Sequence, residues 1–505
     1  MSLFFMDASH VRLRVVQAGA AVVAAALIAG CGSAYRPVVT PINPSGPPAQ
    51  PNSLVVVVSS PAPAVSSPGV VTILDYSGDT VMARATIGPG PIAFTVDSTG
   101  SNGYTVNSDH TLTNFQVSSA LQEKFVTFST LPITSQITNL FSPAAGLWAA
   151  DLDQNVADVL TGSPATFKLA IPLASTPIAI IGTGSIGQHN YAISQNNSNT
   201  PSGSIIPFGV ACNNAPGSVS QNGEADALEV STFTVSARIP LGKCPVYAVA
   251  TPDGRRVFVL NRGSDTVTVI NSQNNTLDAC TPFTNQNGQL VTCHPSLPLS
   301  TAAGLSGANV PAVAGPVYGE YNAATQQLIV ADYDGGTISV IDVSLDLYGD
   351  DSQTFGTTFT IPVGKNPASV TALADGSRAY TADQADGTVH VVNLASHKVV
   401  KALGVVGHPR TVVSTANSLY GKIYVASPDS PFVTILRTDQ DIVDTTVLVE
   451  GNVVDVRVNT QDATRGNINN ISRVPGGGQP CYLPPALMVS TYGAGYTLAD
   501  CQTLP

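Results

Sequence analysis

From Leu54 onward the chain alternates short apolar, β-branched runs with polar breaks. The clearest stretch begins at Gly242 and reads GKCPVYAVATPDGRRVFVLNRGSDTVTVINSQNNTLDA. Val246 to Ala250, Val257 to Leu260 and Thr266 to Ile270 are the apolar runs; Pro252-Asp253-Gly254 and the polar segment Arg262 to Asp265 separate them. Runs of this kind bounded by Gly, Pro, Asp and Asn predict strands joined by tight turns.

The same grammar returns at Gly364, in GKNPASVTALADGSRAYTADQADGTVHVVNLASHKVVKALGVVGHP. Gly364-x-x-Pro367 matches Gly242-x-x-Pro245, Asp375-Gly376 matches Asp253-Gly254, and Val389 to Val392 matches Val267 to Ile270. Weaker copies follow Gly88-x-x-Pro91, Pro177 and Pro409, and further matches start at Leu328 and Lys422. A spacing near 40 residues suits a four-stranded propeller blade of ~40 to 45. GRRVFVLNRGSDTVTVI with its Gly-x-x-Pro lead resembles the YVTN repeat family of bacterial and archaeal β-propellers, which includes YncE-like exported proteins. The resemblance covers 242–275 and 364–409 most clearly and 53–241 more faintly. The family's Tyr-Val-Thr-Asn strand stands here as Phe258-Val259-Leu260-Asn261, and another copy has Ala331-Asp332 in its place.

These readings predict an all-β fold: a propeller over residues 53–459 built of four-stranded blades. Segmenting on the repeat gives units at 53–90, 91–133, 134–177, 178–245, 246–309, 310–367, 368–409 and 410–452. The first unit has three strands, Leu54 to Val58, Val70 to Leu74 and Val81 to Ile87. Val453 to Val458 is left over at the other end and is expected as the innermost strand of the first blade, so that the two ends of the chain close the ring and leave no open edge. The count is then eight, with seven, the commoner number in the resembling family, as the alternative. Insertions near 194–226, 280–309 and 344–358 read as long surface loops.

The segment before the repeats has a different character. Arg12 and Arg14 precede an apolar run from Val15 to Gly30 that is shorter than the ~20 residues a spanning helix needs, and it ends in Ile28-Ala29-Gly30-Cys31. That tetrapeptide resembles the lipobox of bacterial lipoproteins. The resemblance implies cleavage of a signal peptide at 1–30, lipidation of Cys31 and, with Gly32 following, an outer-membrane destination in the cell envelope. Residues 31–52 carry six prolines and read as a semi-rigid tether.

Composition narrows the function classes. Only 11% of the 505 residues are charged, and 33 acids against 21 bases leave a net charge of −12. A nucleic-acid surface needs clustered Lys and Arg, so no such partner is expected. The single Trp argues against propeller families that use one Trp per blade. Six cysteines remain beyond Cys31, an even number in an exported chain, which predicts disulfides. Neighbour pairing gives Cys212 with Cys244, Cys280 with Cys293, and Cys481 with Cys501, the last within a C-terminal tail at 460–505 expected to pack on the propeller.

Candidate chemistry is sparse. The histidines, His10, His110, His189, His294, His390, His397 and His408, show no metal-ligand spacing, so neither a metal nor another cofactor is expected. Gly182 to Gly187 matches a dinucleotide fingerprint loosely, without the helix that must follow it. Polar residues recur at one turn of several blades: Asn261, Arg262 and Asp265; Asp332 and Asp334; Asp383 and Asp386. They form either an acidic rim able to hold a cation or a basic partner, or turns closed by their own Asp and Asn side chains. The expected function is a membrane-anchored binding or scaffold module for an envelope protein, glycan or cell wall, with no catalytic residues assigned. The alternatives are a lactonase-like enzyme and a carrier of a small ligand or cation in the central channel.

Overall fold

The computed structural model describes residues 54–459, apart from 62–65, 77, 133, 144–145, 153, 183–188, 196–204, 207–208, 211–221, 286–287, 300–313, 347–348 and 416–420. The expected signal peptide, the tether, the tail and Cys31, Cys212, Cys481 and Cys501 lie outside the described residues.

Eight antiparallel sheets form the blades. In each blade the strands are named a to d from the channel outward. Blade 2 comprises Pro91–Val96, Asn102–Asn107, Thr111–Gln116 and Thr127–Thr130; blade 3, Ile137–Phe141, Leu147–Asp151, Val156–Thr161 and Thr166–Pro172; blade 4, Pro177–Gly182, His189–Ser194, Asn222–Glu229 and Thr234–Lys243. Strands a to c of blade 5 are Pro245–Ala250, Arg256–Asn261 and Thr266–Asn271. Blade 6 comprises Pro316–Asn322, Gln327–Asp332, Thr337–Asp342 and Thr358–Pro362; blade 7, Pro367–Ala372, Arg378–Asp383, Thr388–Asn393 and Lys398–Gly404; blade 8, Thr411–Ser414, Lys422–Ala426, Phe432–Arg437 and Ile442–Leu448.

Blade 1 joins the two ends of the ring. Its b, c and d strands are Leu54–Ser60, Pro68–Asp75 and Val81–Pro89, and its innermost strand is Asn452–Val458, pairing Val456 with Val57 and Val458 with Val55. The a strands meet in order around the ring, with blade 8 against blade 1 and blade 1 against blade 2. The count is eight, and the faint unit at 134–177 is a full blade.

The repeat motif has a physical explanation. A β-carbon on Gly88 would lie 2.3 Å from Asn107, on Gly242 2.7 Å from Asn261, and on Gly364 2.6 Å from Asp383. The glycine of Gly-x-x-Pro therefore leaves room for the Asn or Asp that ends strand b of the blade it introduces. In blades 3, 4 and 7 an aromatic side chain three residues before the end of strand b reaches the next blade. Tyr191 donates its hydroxyl hydrogen to Asn275 Oδ1 (2.6 Å), and Tyr380 donates to Asp441 Oδ1 (2.6 Å). Asn275 and Asp441 both sit in left-handed backbone (φ 54° and 53°) at the c–d turn of the following blade. Trp148 occupies the same slot in blade 3 and lies tilted against Phe233 with ring centroids 6.0 Å apart, Phe233 being the left-handed residue (φ 57°) of that turn in blade 4. The lone Trp thus replaces a hydrogen bond with a ring contact.

Most of the core between blades is aliphatic. Val257, Val259, Val267, Val269, Leu328, Val330, Ile338 and Val340 are fully buried, each contributing about 1.5–3 kcal/mol. The insertions lie near their expected places. One separates strands b and c of blade 4. A second interrupts strand d of blade 5, where Thr276–Leu277 and Ser296–Pro298 pair with successive parts of strand c and the chain between them makes an excursion closed by Cys280–Cys293. The third separates strands c and d of blade 6. Cys244 is buried and disulfide-bonded; the cysteine expected to pair with it, Cys212, lies outside the described residues.

Candidate functional site: the rim and the inner edge of the ring

The b–c turns and the Gly-x-x-Pro turns share one face of the ring. Asn261, Asp332 and Asp383 end strand b and are fully buried. Asn261 Nδ2 donates to Thr268 Oγ1 (2.8 Å) and Thr266 Oγ1 (3.2 Å) of strand c. Asp332 Oδ2 accepts from Ser339 Oγ (2.7 Å) and Thr337 Oγ1 (3.1 Å). Asp383 Oδ2 accepts from Thr381 Oγ1 (2.8 Å) and His390 Nδ1 (2.7 Å). Each of these side chains ties strand b to its own blade.

The other predicted rim residues bridge between turns. Arg262 donates through Nε (2.9 Å) and Nη2 (2.7 Å) to the two oxygens of Asp334, a bidentate pair joining blades 5 and 6, with the guanidinium 5.3 Å from the Tyr333 ring. Asp265 Oδ1 accepts from the backbone N–H of Gly315 (2.8 Å) and Ala314 (3.1 Å). Burial raises the Asp265 pKa, and the Asp334 charge adds to the rise. Asp386 is exposed and accepts from the Lys365 N–H (2.6 Å). The structure therefore brings Arg262, Asp265 and Asp334 together and leaves Asp386 apart on blade 7.

Two features escaped the sequence reading. Where other blades place Thr113, Thr268 or Ser339 on strand c, blades 3 and 4 place Asp158 and Asp226, both buried. Burial, with Asp151 adding repulsion, pushes Asp158 up to about 7; burial, with Glu224 adding repulsion, pushes Asp226 up to about 6. A register alignment of the blades would have exposed these carboxylates in hydroxyl positions.

The second feature is the ring's inner edge. The innermost strand of a blade has one edge without a paired strand, and side chains from neighbouring blades reach across to its backbone. Ser369 Oγ of blade 7 accepts from the Val412 N–H (3.0 Å) and donates to the Arg410 carbonyl (3.1 Å). Arg410 Nη2, at the head of blade 8, donates to the Val454 carbonyl (2.8 Å), which lies where the register of blade 1 shifts. Thr411 Oγ1 donates to Asp455 Oδ1 (3.0 Å). Arg457 donates through Nε to Asp455 Oδ2 (3.2 Å) and through Nη2 to the Phe94 carbonyl of blade 2 (3.2 Å). On blade 6, Glu320 Oε1 accepts from the Ala372 N–H (3.2 Å).

This places an Arg410–Asp455–Arg457 ladder on the inner strands where the ring closes. Arg410 is partly buried, and its Nε, itself buried, lacks a hydrogen-bond partner among the described residues. Burial lowers the Arg410 pKa, and Asp455 opposes that shift. No group of three or more His, Cys, Asp or Glu among the described residues is arranged to hold a metal ion.

No protein-family model matches the chain, and no curated protein matches it in sequence. Solved structures share its architecture. It is similar to apo AztD from Citrobacter koseri, with a TM-score of 0.52 at 11% identity over 80% of this chain and 97% of that one. It is also similar to the dihydro-heme d1 dehydrogenase NirN in complex with DHE, with a TM-score of 0.52 at 14% identity over 86% of this chain and 80% of that one. At such identities the likeness is one of fold, and the chain is an eight-bladed β-propeller of four-stranded blades.

Proposed function

We propose that this chain is a lipid-attached β-propeller of the bacterial cell envelope, held at the outer membrane through Cys31, that binds an anionic envelope glycan at the inner edge of its ring. One observation carries the reading. In a chain with only 11% charged residues, Arg410 at the head of blade 8 is gathered with Asp455 and Arg457 of the inner strand of blade 1 where the ring closes. A guanidinium suits a carboxylate, which it grips through two parallel hydrogen bonds, and Arg410 spends only Nη2 on the Val454 carbonyl. The proline-rich segment after Cys31 supports the reading by giving a folded ring the reach to meet a glycan away from the lipid surface.

Calorimetric titration of the full chain with a disaccharide-tetrapeptide muropeptide, and with the same molecule carrying its carboxylates as amides, tests the site. The acid form should bind at least tenfold more tightly than the amidated form, and Arg410→Gln should remove that preference. Equal binding of both forms, or a preference untouched by Arg410→Gln, contradicts the assignment. For the attachment, Cys31→Ser should lose acyl labelling and shift to the soluble fraction; retention in the membrane fraction would contradict it.

A further inference from the structure

The face opposite the Gly-x-x-Pro turns holds a second cluster, which the glycan site does not use. It lies where the excursion in strand d of blade 5 meets the insertion of blade 6. Arg256, the first residue of strand b in blade 5, places Nη2 3.1 Å from Asp278 Oδ1 and 3.3 Å from Asp351 Oδ1. His294 Nδ1 lies 2.8 Å from Asp351 Oδ2, so the imidazole donates there, and its ring stacks at 5.2 Å on Phe355. The Asp278 and Asp351 carboxyls therefore meet over the same Arg256 nitrogen, with the His294 backbone beside Asp278. Asp278, Asp351 and Arg256 are each at most 5% exposed.

The disulfide explains how these groups meet. Asp278 stands two residues before Cys280, and His294 directly follows Cys293. Closing the neck of the excursion brings both flanks onto one carboxylate of the neighbouring blade. The Asp278 N–H donates to the Val269 carbonyl and the Val269 N–H donates to the Pro295 carbonyl, so the two halves of strand d continue one ladder. Two carboxyl groups then share one buried arginine, which neutralises only one of them. Asp350 and Asp346, also on the blade 6 insertion, add negative charge nearby, while Arg255 lies against Gly349 and pairs with Asp253.

From this geometry we infer that the disulfide-closed excursion of blade 5 and the insertion of blade 6 form a pH-responsive latch, fastened when Asp278 holds a proton towards Asp351 and loosened when Asp278 gives that proton up. Burial and the Asp351 charge hold the Asp278 pKa up at about 6 despite Arg256. A raised folded value means that the latched form binds the proton more tightly than the released form. The stabilisation is complete below the ordinary aspartate value and is lost as pH rises through about 6. With a released value near ~3.9 the closed-to-open ratio falls about tenfold between pH 5 and pH 8.

Hydrogen exchange of the full chain, with protection corrected for intrinsic rate, reads the latch at residues 290–299 and 349–356. Wild-type protection there should fall about tenfold from pH 5 to pH 8 while strand b of blade 7 stays constant. Asp278→Asn, whose amide still donates to Asp351 but does not ionise, should flatten the profile, and so should reduction of Cys280–Cys293 by removing the closed neck. Wild-type protection that is level across pH 5–8 would overturn the inference, as would an Asp278→Asn profile that follows the wild type.

Discussion

Asp332 shows most clearly how a single position in the blade grammar carries a measurable consequence. It is fully buried, accepts from Thr337 and Ser339, and burial pushes its pKa up to about 7. The folded chain therefore holds a proton that the unfolded chain has released above about pH 4. This contribution to stability is complete below the unfolded value and lost as pH rises through about 7. In blade 5 the equivalent residue is Asn261, whose amide donates to Thr266 and Thr268 without titrating. Asp332→Asn should thus lose less melting temperature than the wild type between pH 6 and pH 8 and match or exceed it at pH 8. A variant less stable than the wild type at both pH values would show that the carboxylate is needed as such. Residue chemistry of this kind was partly legible in the sequence. The recurrence of Asn261, Asp332 and Asp383 was visible, but their burial was not, because a turn-ending Asp reads the same whether it faces solvent or a strand c hydroxyl. Asp158 and Asp226 were missed because they sit inside apolar runs of blades whose repeat is faint.

Among elements, the unit that matters is the blade pair. In blades 3, 4 and 7 strand b is stapled to the c–d turn of the next blade by an aromatic side chain, and in blade 7 the staple includes a cation: Asp441 accepts from Tyr380 and pairs with Arg378. Burial raises the Tyr380 pKa, and the neighbouring Asp441 adds to the rise, which keeps the hydroxyl a donor. Asp441→Ala removes the acceptor of both groups and should cost about 2 kcal/mol in urea unfolding. Asp441→Asn should recover much of that, because Asn275 serves Tyr191 in the same geometry. An alanine variant as stable as the wild type would remove the staple from the account. Strand boundaries were legible to within a residue or two: Val257 to Leu260 was expected and Arg256–Asn261 is found. The splitting of strand d in blade 5 was not legible, since Thr276–Leu277 and Ser296–Pro298 are each too short to carry a period, and their continuity depends on a disulfide in space.

The whole molecule was the most legible scale, because closure follows from arithmetic on strands. Three strands at the start and one at the end make a blade only if Asn452–Val458 pairs with Leu54–Ser60, and it does. The closing blade is also where these charges gather, since the buried Asp455 and Arg457 lie on that last strand and Arg410 bonds its backbone. The inner edge was not legible, because Thr411 and Asp455 are 44 residues apart and only the packing of blade 8 against the closing strand lays their side chains together. Function at this scale rests on whether that edge receives a ligand. Hydrogen exchange of the full chain with and without saturating muropeptide locates the contact directly. The account predicts added protection at residues 410–414 and 452–458 and none on the outer strand Lys398–Gly404. Protection confined to the outer strands, or no change at the inner ones, would contradict it.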